Sequence, residues 1–247
     1  MIGKTITASI VIVLILLVFY WASTTIETQI QYSEFTSMIY SFQILANFDD
    51  GAFREGDSNY VVVTITRGRI DNHDHTLVVR MFVNSSLVYE TNVQTKIISY
   101  RGGWLTSAVE GFYRGSNEEV TTSSVVFSVY TNQCDGARVY IKPRVRVLPL
   151  GVYIGRRVDG TVYRIYMINV YIPSIKIGEC YGGSPYHLVL RTNTTLVEVL
   201  RLNYSQTSPR RIEVRVNGQT VDLCTPEVDS IIVTIVKSVV LFEVRGV

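Results

Sequence analysis

The sequence predicts one long N-terminal α-helix followed by an all-β ectodomain, of β-sandwich type with immunoglobulin-like or jelly-roll-like topology. Residues 6–22 contain no charged side chain. Residues 35–45 then carry apolar side chains three and four positions apart, which indicates a helix. After residue 50 the pattern changes to β-branched and alternating runs without a helical period, which indicates strands.

These observations divide the chain into two regions. Residues 1–48 form a hydrophobic stalk, and residues 49–247 form the ectodomain, either as one unit or as two sub-domains, 49–149 and 150–247. Each predicted strand has a face to bury within the ectodomain itself. We therefore expect a chain that begins at Asp49 to fold without the stalk.

The stalk is longer than a membrane requires. A spanning helix needs roughly 20 predominantly apolar residues, and residues 6–22 with their flanks approach that length. No Gly or Pro interrupts residues 4–47, so the helix should extend for about 65 Å at 1.5 Å per residue. A helix of this length needs a second apolar partner. We predict that the following side chains form the core of a polymer: Ile10, Ile12, Leu14, Leu17, Phe19, Phe35, Met38, Ile39 and Phe42.

Three functions fit such a stalk: a cleaved secretory signal, a simple membrane anchor and a filament subunit. Ile2-Gly3-Lys4-Thr5, the apolar helix, its amphipathic continuation and the β-rich remainder together resemble the archaeal type IV pilin superfamily, which includes archaellins. The resemblance covers about the first 45 residues. It implies an extracellular filament used in adhesion or motility, with helices in the core, β domains in the outer sheath and copies of the chain as partners.

The flanks of the apolar run predict the topology. Lys4 precedes it and the next basic residue is Arg54, so the N-terminus should be cytoplasmic and the ectodomain outside. Three glycosylation sequons, at Asn84, Asn193 and Asn203, agree with a cell-surface glycoprotein. Arginine greatly outnumbers lysine among the 23 basic residues, which hints at a thermophile. The alternative function is a membrane-anchored binding or accessory protein of the archaellum or S-layer that does not polymerise.

Cysteines and histidines supply the remaining candidate sites. Three cysteines outside the cell suggest one disulfide, a pair among Cys134, Cys180 and Cys224. The cluster His73, Asp74 and His75 is a candidate metal site, because alternate residues of an extended chain share a face. A solvated turn between two strands is the other interpretation of this cluster. We predict no cofactor.

A basic stripe and the overall charge bear on partners. Arg138, Lys142, Arg144 and Arg146 alternate with apolar residues and should lie on one face of a strand, which is either a solvated face or a binding face for an acidic glycan, a subunit or a surface. The net charge of +2 argues against nucleic acid as a partner. No catalytic triad, carboxylate pair or nucleotide-binding fingerprint is evident, so the sequence predicts a protein that is not an enzyme.

Turn signals predict two hairpins and one unusual strand. Asn217-Gly218 favours a type I′ turn, and Asp159-Gly160 lies between two further strand-like runs. The run Ile231–Val244 carries apolar side chains that would point to both faces. It is either a central strand covered on both sides or a strand with one face covered by a neighbouring subunit.

Overall fold

The computed structural model confirms the predicted fold class, a long N-terminal helix followed by an all-β head. It describes residues 2–156, 158 and 160–246, without the side chains of residues 2–8 and 205–207. Helix α1 is Ile2–Ala46, and a short 3₁₀ helix, Gly51–Phe53, leads from it into the head. We use "stalk" for α1 and "head" for the strands that follow it.

Thirteen strands make up the described part of the head, and many are unusually long. They are β1 (Ser58–Val63), β2 (Arg69–Val83), β3 (Ser86–Arg101), β4 (Gly111–Arg114), β5 (Val120–Thr121), β6 (Phe127–Asn132), β7 (Arg138–Pro143), β8 (Val145–Arg156), β9 (Val162–Tyr181), β10 (Tyr186–Ser208), β11 (Arg211–Val216), β12 (Gln219–Cys224) and β13 (Val228–Gly246). Strands of 15 to 23 residues, such as β2, β9 and β10, far exceed the usual 5 to 6.

The strands form two curled sheets. The first has the order β1-β10-β13-β9-β8-β5, and the second has the order β12-β11-β2-β3-β7-β6-β4. Most neighbours are antiparallel, whereas β13 runs parallel to β9 and β5 runs parallel to β8. Both sheets run the length of the head because their central strands are so long.

Two hydrophobic cores fill the space between these sheets. The helix core contains the head-side end of α1 together with parts of both sheets, including Phe127, Ile141 and Phe242. The strand core contains strands alone, including Leu77 and Ile168. Both cores draw residues from both halves of the chain. They therefore do not coincide with residues 49–149 and 150–247.

The long strands present opposite faces to the two cores. In β13 the strand core receives Ile231, Val233 and Ile235, whereas the helix core receives Val240 and Phe242. Because side chains alternate across a strand, the change from odd to even positions means a change of face. This explains why the run Ile231–Val244 is apolar on both sides: it is a central strand between β10 and β9.

The neighbouring strand β9 changes face at the same level. Strand β9 contributes even-numbered residues up to Ile172 to the strand core and Ile175 to the helix core. Buried polar side chains lie at the change of face. The Thr95 hydroxyl accepts a hydrogen bond from the Ile175 amide at 2.8 Å, and the Ser174 hydroxyl donates to the Ser238 carbonyl at 2.8 Å.

The predicted hairpins form, one of them with the expected turn. Val216 pairs with Gln219 across Asn217 and Gly218, whose φ values of 48° and 88° suit a type I′ turn. Strands β8 and β9 also form an antiparallel hairpin, closed by the pair Arg156 and Val162. Asp159 lies outside the described residues, so its part in the second turn is not described.

Candidate functional site

The N-terminal half of α1, which we call the membrane-side half because its composition suits a membrane, is exposed from Ile10 to Trp21. The predicted polymer-core residues of this half are exposed: Ile10 55 %, Ile12 58 %, Leu14 55 %, Leu17 58 % and Phe19 74 %. By length and composition this helix is sufficient to span a membrane or to act as a signal sequence. Burial of such side chains is worth about 1.5–3 kcal/mol each, so this half of the stalk requires an apolar environment outside the chain.

The C-terminal half of α1, which we call the head-side half, packs into the head with buried residues from Gln31 to Ala46. This burial corrects the predicted polymer core. Phe35, Met38, Ile39 and Phe42 are all less than 8 % exposed and belong to the helix core. Side chains that are already buried within one chain are not available to pack against another. The same contacts remove the basis for expecting independent folding of a chain that begins at Asp49.

A buried carboxylate fixes the stalk to the head. Glu34 of α1 accepts hydrogen bonds from the backbone amides of residues 66–68, at 3.0–3.3 Å. It also accepts from the hydroxyls of Thr66 and Tyr100, the latter at 2.6 Å. Gly68 is required beside this carboxylate, because a Cβ there would lie 2.0 Å from the Tyr100 hydroxyl oxygen.

The pKa values of this pair follow from burial and hydrogen bonding. Burial raises the pKa of Glu34, but the bonds from Thr66, Tyr100 and Gly68 outweigh it, so the pKa lies below its ordinary value. Burial and the nearby Glu34 raise the pKa of Tyr100 well above its ordinary value. Tyr100 therefore remains a donor and Glu34 an ionised acceptor at neutral pH.

The outward side of the helix between residues 26 and 44 carries a stripe of large apolar side chains and two small serines. Its members lie alternately four and three residues apart and are all exposed: Ile26, Ile30, Ser33, Ser37, Tyr40 and Ile44. Ile26 is 58 %, Tyr40 60 % and Ile44 47 % exposed. This spacing matches the seam of a packed helix pair, in which small residues permit close approach. We call this set the exposed stripe.

The candidate metal site does not assemble. Residues 71–75 lie within strand β2, where they pair with β3, so they form neither a turn nor a ligand cage. His73 is hydrogen-bonded to the Ser99 hydroxyl and His75 to Glu119, each at 3.0 Å. Asp74 faces the other way and pairs with Lys96 at 2.6 Å. Among the described residues, no group of three or more metal-ligating side chains converges.

The predicted disulfide is also absent. Cys134, Cys180 and Cys224 are all free thiols, and all three are exposed. Cys134 lies between β6 and β7, Cys180 near the end of β9, and Cys224 at the end of β12. The odd count of cysteines suggested one bridge, but the fold places them on separate strands and loops.

The basic stripe is engaged in ion pairs rather than presented to a ligand. Lys142 pairs with Glu119, which also binds His75. Arg144 is 1 % exposed and donates from Nε to the Glu118 carbonyl at 2.6 Å. The remaining two, Arg138 and Arg146, pair with Asp135 at 2.8 Å and with Asp50 at 3.3 Å.

The three sequon asparagines, Asn84, Asn193 and Asn203, are exposed. Asn84 occupies the turn between β2 and β3 at a φ of 49°. Its side-chain oxygen accepts from the Arg211 amide at 3.0 Å. Asn193 lies at the irregularity in β10 between Thr192 and Thr194. All three positions have solvent access for modification.

Comparisons with known proteins identify no relative of this chain. No family model matches it, and no curated protein or solved structure shows significant similarity to it.

Proposed function

We propose that this chain is the structural subunit of an extracellular filament of the archaeal type IV pilus kind. Its membrane-side helix would lie in the membrane before assembly and in the filament core afterwards. The heads would form the outer sheath, with Asn84, Asn193 and Asn203 on their surfaces. Copies of the same chain are its main partners.

The exposed stripe is the observation that supports a polymer over a simple anchor. A bilayer core about 30 Å thick accounts for roughly 20 helical residues. Ile26 to Ile44 therefore lie beyond the hydrocarbon core when residues 6–22 span it. The head only borders the stripe, because Ile26, Ile30, Ser33 and Ser37 line an open groove with residues 62–66. All six members stay exposed, whereas the head-facing side of the same helix is buried. Adjacent helices of other copies offer an apolar partner along the full length of α1.

A charge on the stripe should block assembly without harming the head. Ile30 is 46 % exposed, so Ile30→Arg leaves the helix core intact. Between packed helices the new charge would be buried without a partner, at a cost of several kcal/mol. We expect no fibres in material sheared from cells, by negative-stain microscopy, with an unchanged thermal melting curve.

Thr28→Arg is the matched control. Thr28 is exposed and lies seven residues before Phe35, hence on the head-facing side of the helix and not on the stripe. This variant should still form fibres. Normal fibres from Ile30→Arg would contradict the proposed contact. If the native chain stays in detergent-extracted membranes and never appears in sheared fibres, the non-polymerising anchored protein is the better assignment.

A further inference from the structure

The loop at residues 102–110, between β3 and β4, carries Trp104, the second of the two tryptophans of the chain. Trp104 is 84 % exposed, and Val109 in the same loop is also 84 % exposed. Tryptophan is enriched where a membrane protein meets the membrane–water interface.

The loop is attached to the stalk just above its lipid segment. The Leu105 amide donates to the Gln31 side-chain oxygen at 2.8 Å, and Gly103 packs so closely that a Cβ would lie 2.3 Å from that oxygen. Gln31 in turn donates to Glu27 at 2.8 Å, so its side chain points along the helix towards the membrane-side half. The loop therefore lies at the level of residues 27–31.

Helix geometry places this level close to the lipid headgroups. Glu27 is six residues past Trp21, about 9 Å along the axis at 1.5 Å per residue. The polar layer of a bilayer extends roughly 5–7 Å beyond the hydrocarbon core on each side. Transmembrane helices are tilted by about 20° on average, and a tilt towards the loop would bring Trp104 into this layer.

Exposed arginines lie near the tryptophan. Arg67, Arg69 and Arg101 line one cavity with Trp104. The Arg67 side chain is 55 % exposed while its partner Glu27 is 28 % exposed, and Arg69 is 64 % exposed while Asp71 is 26 %. The guanidinium groups are thus more exposed than their acids, and an exposed guanidinium can also donate to a phosphate oxygen.

We infer that the loop of residues 102–110 is a second membrane anchor, with Trp104 in the phospholipid interface and Arg67 and Arg69 on headgroup phosphates. This rests on the proposed membrane location of the stalk. The anchor holds the head at one tilt against the lipid, so that the exposed stripe faces along the membrane towards incoming copies of the chain.

Quenching of tryptophan fluorescence tests this inference directly. The chain has 2 tryptophans, so Trp21→Phe leaves Trp104 as the only one. The full-length variant is reconstituted at low protein density in phosphatidylcholine–phosphatidylglycerol vesicles, with or without bromine atoms near the top of the acyl chains. We expect loss of Trp104 emission in the brominated vesicles.

Trp104→Phe is the companion variant, in which Trp21 alone reports insertion of the stalk. Quenching of Trp21 without quenching of Trp104 would overturn the second anchor and leave the membrane location of the stalk intact. If neither Trp21 nor Trp104 is quenched, both the second anchor and the membrane location of the stalk are overturned. The two failures are therefore distinguishable.

Arg69→Gln tests the arginine contacts, with Arg80→Gln as its matched control. Both arginines lie on β2, each pairs with one acid, and Arg80 with Glu90 belongs to the far half of the strand. In the Trp21→Phe background, Arg69→Gln should reduce Trp104 quenching and Arg80→Gln should not. Equal quenching in both would overturn the assignment of Arg69 to the headgroups.

Discussion

The two halves of α1 are both rich in large apolar side chains, yet they have opposite environments. Leu14, Leu17 and Phe19 are more than half exposed, whereas Phe35 and Phe42 are almost completely buried in the head. The difference lies in the pattern of the sequence. Apolar residues all round a helix require a surrounding environment such as lipid or other helices, but a stripe on one side requires only one surface, which the head supplies.

Two truncations should show the largest difference between these halves. A chain of residues 23–247 keeps every helix residue of the helix core, and we expect it to fold and melt cooperatively. A chain of residues 49–247 lacks Phe35, Met38, Phe42 and Leu45, and we expect it to aggregate or to lose cooperative melting. Circular dichroism during heating and size-exclusion chromatography compare the two. A stable, monomeric 49–247 chain would show that the helix contacts the head without being needed for its folding.

Substitution of a single phenylalanine in each half should show the same contrast, with a smaller effect on the stability of the head. Phe42 is 0 % exposed, and Phe42→Ala should lower the free energy of unfolding of the head by about 3–5 kcal/mol, through lost burial and a cavity. Phe19→Ala, at a 74 % exposed site, should leave the unfolding of the head unchanged. Denaturant titration in detergent measures both. Equal effects would mean that the two halves of α1 stabilise the head alike.

Substitution of Glu34 should cause the smallest of these losses of stability. Glu34→Gln keeps the shape but weakens charge-assisted hydrogen bonds, at a cost of about 1.5–3 kcal/mol. Glu27→Gln, which alters an exposed pair with Arg67, should have little effect. If denaturant titration gives the two variants the same stability, the bonds to residues 66–68 do not hold the stalk.

The same carboxylate predicts a dependence on pH. Because the pKa of Glu34 is lower in the folded chain than its ordinary value of 4.5, the unfolded chain binds the proton more readily. The contribution of Glu34 is therefore complete above about pH 4.5 and is lost as the pH falls through the lower folded value. The stability difference between the native chain and Glu34→Gln should narrow in that acid range. A constant difference down to pH 2 would contradict this linkage.

Much of the fold could be predicted from the sequence, because hydrophobic period and turn residues act locally. The uninterrupted helix and the Asn217-Gly218 hairpin are examples. The period of residues 35–45 also predicted which side chains would be buried. It could not show whether the covering surface belonged to the same chain or to another, because a period defines a face and not its partner.

The candidate sites were predicted less well, because they depend on contacts between distant parts of the chain. Residues 71–75 are polar enough to resemble a turn, but their backbone pairs with β3 and their side chains find partners such as Ser99 and Glu119. Glu34 lies four residues before Met38 and eight before Phe42, so a charge on the apolar face of the helix was its sequence signal. Three of its donors are backbone amides, which any residue provides, and the hydroxyls of Thr66 and Tyr100 come from distant parts of the chain.

The change of face in the long strands restricts how the length of this chain can vary. Inserting or deleting one residue in a strand reverses every side chain beyond that point. Between Ile235 and Val240 of β13, such a change would leave one core intact and turn the apolar side of the other towards water. Length variants of this protein should therefore keep β9, β10 and β13 unchanged and place their insertions in segments that connect strands, away from the loop of residues 102–110 that is packed on Gln31.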